Sequence, residues 1–106
     1  MLKPESDKAK TKRIATYKRW IKANPPDENG RWECYLQISS MCPKSLSRNL
    51  LSLEHVKPRS KNPELKYKIE NIKPSCLSCN EMKGSRTIEE LSKIWPHLLK
   101  YMDKEN

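Results

Sequence analysis

A chain of 106 residues with only 35% hydrophobic types and no Phe has too little apolar material for a large core, which excludes a multidomain architecture and leaves one compact unit in need of reinforcement. Its 22 Lys and Arg against 13 Asp and Glu leave a net charge of +9 and a pI near 9.5, so polyanions are its natural partners. No stretch has the length and apolarity of a membrane span or a secretory signal; the expectation is an intracellular chain without a membrane partner, where four cysteines stay reduced and hold a metal more readily than they form disulfides.

In chain order, residues 7–23 lack Gly and internal Pro and predict a helix, with Ile14, Tyr17 and Ile21 as its apolar stripe. Its other faces are basic and include Lys12, Arg13 and Arg19. Over residues 1–23, eight Lys and Arg face two acidic residues. Asn24-Pro25-Pro26 ends the helix, Asn29-Gly30 marks a turn, and residues 31–38 read as a first strand. Residues 41–49 read as irregular. Residues 50–56 form a short strand with Leu51 and Leu53 on one face and Ser52 and Glu54 on the other.

Pro58 and Pro63 then break regular structure, which makes residues 57–70 a long basic loop carrying Lys57, Arg59 and Lys61. Residues 71–75 are a short second strand, and residues 76–85 a turn entering a short helix that Gly84 closes. Thr87 and Glu90 have the spacing of a capping box, followed by a helical apolar face of Leu91, Ile94, Trp95, Leu98 and Met102. Pro96 requires a kink or two successive helices there. The organisation is a single domain in three segments: a basic helix and turn over 1–30, a core over 31–86, and an amphipathic helical segment over 87–106.

Cys76 and Cys79 are a C-x2-C knuckle, a spacing at which two thiolates converge on one tetrahedral ion. Cys34 and Cys42 can complete the set if the seven residues between them loop out. One structural Zn2+ on all four is the expectation. The alternative leaves Cys34 as a small buried hydrophobe beside Trp32 and Tyr35.

Between the cysteine pairs lie Glu54-His55, then Asn71, then Cys79-Asn80 with Lys83 three residues on. His97, alone in the last helical segment, reads as structural. His55 differs in company: a carboxylate precedes it, a basic loop follows it, and a second oxygen donor sits beside the knuckle. Phosphodiester hydrolysis needs those parts, namely a base for water, a cation for the developing charge and positive groups for the strand. Glu54 and Asn80 are hard oxygen donors suited to Mg2+ or Mn2+.

The run of residues 34–83 resembles the ββα-metal motif of HNH (His-Me finger) endonucleases in an HNN variant, and its pattern is most similar to the phage recombination endonuclease VII group. The resemblance implies a small α+β fold stapled by the four-cysteine zinc site, flanked by the basic N-terminal helix and the C-terminal helical segment. It implies His55 as general base, Asn71 as the brace of the loop that orients it, and Glu54 and Asn80 as ligands of the catalytic cation. It further implies a metal-dependent DNA endonuclease whose His-activated water leaves 5′-phosphate and 3′-OH ends, acting in the cytoplasm, that of the host if phage-encoded. DNA contacts are expected from Lys12, Arg13, Arg19, Lys57, Arg59, Lys61 and Lys83, to the backbone and therefore salt-sensitive. Homodimerisation is left open. The rival class is a zinc-knuckle protein that binds nucleic acid without cutting it, which leaves the grouping of Glu54 with His55, Asn71 and Asn80 unexplained; a generic protein-interaction module rests on less.

Overall fold

The computed structural model describes residues 4–58 and 60–102. Its first element is α1 (Asp7–Ala23), whose start is set by Ser6, the side chain of which accepts the Ala9 N–H. The helix does not bury the stripe expected of it. Thr16 and Trp20 are its buried residues, whereas Ile14 is 37% exposed. A specific polar contact decides the rotation: the Trp20 indole Nε1 donates to the Ile72 carbonyl at 2.8 Å, tying the helix to the middle of the chain.

Two small antiparallel sheets follow. β1 (Trp32–Glu33) pairs with β2 (Ser45–Leu46), and β3 (Ser52–His55) pairs with β4 (Ile72–Ser75), with Glu54 opposite Lys73 and His55 opposite Ile72. The first strand is shorter than expected because the chain turns at Tyr35, and Gln37 adopts a left-handed φ of 48° to carry Ile38 and Ser39 around a cysteine sulfur. Likewise residues 41–49, without a strand pattern in the sequence, contain β2. The two sheets are joined where the Tyr35 N–H donates to the Pro74 carbonyl at 2.9 Å.

On β3 the hydropathy alternation misleads about which face is inward. Glu54 is buried at 5% exposure while Leu53 is only partly covered. The connection from β3 to β4 runs through two single turns of 3-10 helix, Pro63–Leu65 and Ile69–Asn71, the second of which packs against α1. α2 (Leu77–Lys83) follows β4 directly and ends at Gly84, whose φ of 54° suits a residue without a Cβ.

The expected capping box is present at α3 (Ile88–Ser92), with Thr87 accepting from the Glu90 N–H and Glu90 accepting in return. Pro96 separates α3 from a terminal 3-10 segment (Pro96–Tyr101), giving the two successive helical pieces. The core is small and centred on cysteine: Cys34, Cys76 and Cys79 pack with Tyr35, Leu36, Ile38, Leu46, Ile88, Leu91 and Leu98. His97 lies at its rim, its Nε2 donating to the Leu36 carbonyl at 2.6 Å, a structural contact. No helix among the described residues is long and apolar enough to cross a membrane.

Candidate active site and metal centre

The four thiols, distant in sequence, have sulfurs that all lie within 4.8 Å of one another. A tetrahedral ion with metal–sulfur bonds of about 2.3 Å places its sulfurs about 3.8 Å apart, so the spread of the cluster is compatible with such a site. Backbone N–H groups also point at every sulfur. Ile38 and Ser39 donate to Cys79 at 3.3 Å each, Cys76 to Cys34 at 3.3 Å, Cys79 to Cys76 at 3.4 Å and Lys44 to Cys42 at 3.4 Å. Five such donors stabilise thiolates, the form that binds metal.

All four cysteines are free of disulfides. For Cys76, burial pushes the thiol up, but the Ser78 hydroxyl and the Cys79 N–H bring it down to about 7; burial pushes the Cys42 and Cys79 thiols up. Packed together, such groups can all ionise only against a cation. The residues present therefore fit a thiolate-bound metal, and Cys34 lies among the four sulfurs that could hold it. The wide Cys34–Cys42 interval is used to wrap the Cys79 sulfur.

The knuckle also positions the second constellation. Cys76 caps α2 with its own sulfur, and the helix then presents Asn80 and Lys83, three residues apart, toward β3. Asn80 Nδ2 donates to the Ser52 hydroxyl at 3.2 Å. A cleft of about 440 Å³ opens here, lined by Glu54, His55 and Asn80, by Pro58 and Ser60 of the loop, and by Arg13 and Tyr17 of α1.

His55, at the end of β3, has its Nε2 2.8 Å from the Lys66 carbonyl. A carbonyl only accepts, so Nε2 carries the proton in this contact. Asn71 closes the neck of the same loop: its Oδ1 accepts the Lys57 N–H at 2.9 Å and its Nδ2 donates to the Lys57 carbonyl at 3.0 Å. Since the Val56 N–H also bonds to the Asn71 carbonyl, both chain ends entering the loop are held.

Glu54 points into the interior edge of the cleft. Its Oε1 lies 2.8 Å from the Lys83 ammonium and its Oε2 accepts the Tyr35 hydroxyl proton. Burial pushes this carboxyl above its ordinary range, opposed by the ammonium and the hydroxyl. Lys83, expected on a DNA-binding surface, is instead internal, 1% exposed, and also donates to the His55 carbonyl at 3.1 Å. An ammonium so enclosed does not reach a phosphate backbone. Of the other basic residues, Lys12, Arg19, Lys57 and Lys61 are exposed, Arg13 lines the cleft, and Arg59 lies outside the described residues.

Three participants carry little or no sequence signal. The Lys66 carbonyl is main chain, and Tyr35 has no motif around it. Arg13 is legible as a basic residue, but its arrival beside His55 depends on how Trp20 docks α1.

Residues 40–86 match the family model described as HNH endonuclease. No curated protein and no solved structure matches the chain. The matched segment runs from the turn before Cys42 through the β3–β4 hairpin to just past α2, and it is an HNH endonuclease domain, which supports a nuclease-type function. Cys34, Tyr35 and all of α1 lie outside it, so one of the four clustered thiols and one wall of the cleft come from chain that precedes the matched segment.

Proposed function

We propose that this chain is a metal-dependent DNA endonuclease, with His55 as general base and Asn71 as the brace of the loop that orients it. The observation that carries the reading is that His55, its Nε2 held 2.8 Å from the Lys66 carbonyl, lines the same cleft as Glu54 and Asn80. His55 takes a proton from water, the water oxygen bonds to phosphorus, and the bond to the 3′ oxygen breaks, leaving 5′-phosphate and 3′-OH ends. The four-cysteine site suits Zn2+ as a structural metal.

Glu54 and Asn80 would hold a Mg2+ or Mn2+ ion. The donor set fits, because a carboxylate offers about four lone-pair positions and the Lys83 and Tyr35 donors engage one on each oxygen. When bound there, the cation neutralises charge on the phosphorus centre and the departing oxygen. Arg13, from the wall of the cleft, and Lys12, Arg19, Lys57 and Lys61 are suited to hold the phosphate backbone. With Arg59, they form the DNA-contacting set of this reading.

The test is plasmid cleavage by purified protein with and without Mg2+ or Mn2+, beside His55→Ala. Loss of a general base lowers rate by about 10²- to 10⁴-fold, and this variant should keep its zinc and its DNA affinity. If wild type leaves supercoiled, linear and branched DNA intact with either cation, the chain is a binding module. If His55→Ala cuts equally well, the base lies elsewhere.

A further inference from the structure

Glu54 lines the cleft, and its ion-pair partner Lys83 is enclosed behind it. Lys83 and Glu54 are 1% and 5% exposed, their charged atoms are 2.8 Å apart, and the ammonium also holds the His55 carbonyl. Enclosing a lysine is unfavourable unless its charge is compensated. Here the compensating carboxylate is the same group that would attract a divalent ion. Before DNA arrives, the sole anionic donor of the proposed cation pair is therefore already neutralised, while its remaining lone pairs are still placed to coordinate.

We infer that Lys83 makes the cation site depend on substrate: Glu54 and Asn80 bind a divalent ion weakly by themselves and tightly once a DNA phosphate contributes the missing negative charge. The inference rests on the nuclease reading above. It assigns Lys83 a positioning and charge-setting role, because its ammonium touches Glu54 and the His55 main chain and no reacting atom. A divalent ion and an ammonium sharing one carboxylate repel each other, and even at the dielectric of water this weakens ion binding by about tenfold. By linkage, DNA and the ion must then raise each other's affinity by the same factor.

The experiment measures Mn2+ binding to DNA-free protein at pH 8 by electron paramagnetic resonance, for wild type, Lys83→Met and Lys83→Arg, with zinc content and circular dichroism as controls of folding. Lys83→Met removes the charge at similar length and should bind Mn2+ at least about tenfold more tightly than wild type. Lys83→Arg keeps the charge and should stay near wild type. A merely structural lysine would not separate the two variants by charge.

Equal or weaker Mn2+ binding by folded Lys83→Met overturns the inference. Should neither variant fold, His55→Ala protein decides it: its affinity for a short duplex, read by fluorescence anisotropy, should rise about tenfold or more with Mn2+, and an unchanged affinity refutes the coupling. Failure of the nuclease reading looks different, since wild type would then cut no DNA and take up no Mn2+ with or without it.

Discussion

Replacing Cys79 and replacing Cys42 should have unequal consequences, although both belong to the same four-thiol cluster. Cys79 is fully buried in the core and its sulfur collects the N–H groups of Ile38 and Ser39; Cys42 is only partly buried and receives the Lys44 N–H alone. A structural zinc contributes about 10–16 kcal/mol in small zinc domains. The whole stability of a domain is about 5–15 kcal/mol. Losing the metal therefore exceeds what the small core here can hold against, and Cys79→Ser, which leaves a hydroxyl among core side chains and strands two N–H donors, should be unfolded and zinc-free. At Cys42 water can reach the vacated position and complete four-coordination. Cys42→Ser should fold with about one zinc per chain, yet surrender it to a chelator that leaves wild type intact. Zinc content by a colorimetric thiol-release assay and thermal unfolding by circular dichroism read both outcomes. Folded wild type containing less than about a tenth of an equivalent of zinc, or folded, metal-free Cys79→Ser, would refute the argument.

Two further substitutions probe how α1 meets the rest of the molecule. Trp20→Phe keeps most of the buried ring but leaves the Ile72 carbonyl without its indole donor, so stability should fall by about 1–3 kcal/mol in urea unfolding; an unchanged midpoint would show that this bond does not anchor the helix. Glu5→Gln should raise DNA affinity and steepen its logarithmic salt dependence by about one unit, since Glu5 occupies the Arg13 guanidinium at 2.9–3.2 Å and its removal leaves that fork for a phosphate. The pair is partly exposed to solvent, which makes it exchangeable. An unchanged slope would place Arg13 away from the bound backbone.

The parts of the site that were legible in the sequence are those defined by side-chain chemistry at fixed spacing. Cys76 and Cys79 are separated by two residues in the chain and converge because that spacing permits little else; His55, Asn71 and Asn80 stand out by type and order. Two helix termini were equally readable, since Thr87 and Gly84 announce themselves by capping chemistry. What sequence periodicity missed were rotations and faces. Ile14, Tyr17 and Ile21 form the better apolar stripe, but a single indole bond turned α1 onto Thr16 and Trp20. Glu54 and Lys83 each look like surface residues, and only their mutual neutralisation explains their burial. β2 was unreadable because Ser45–Leu46 has no strand pattern of its own and exists only as the partner of Trp32–Glu33.

The partner of His55 is a peptide oxygen, and this has a consequence for how the domain tolerates change. The Lys66 side chain is not what holds the imidazole proton, so Lys66→Ala leaves the carbonyl in that contact unchanged and an alanine scan would not reveal it. Insertions, deletions or a repositioned proline anywhere between Pro58 and Asn71 would move that oxygen and swap the protonated nitrogen of a histidine eleven residues earlier. The length of the loop is thus a chemical parameter of the domain, whereas most of its side chains are open to variation. Among homologous domains, loops of this register should differ widely in composition while conserving the path of their backbone.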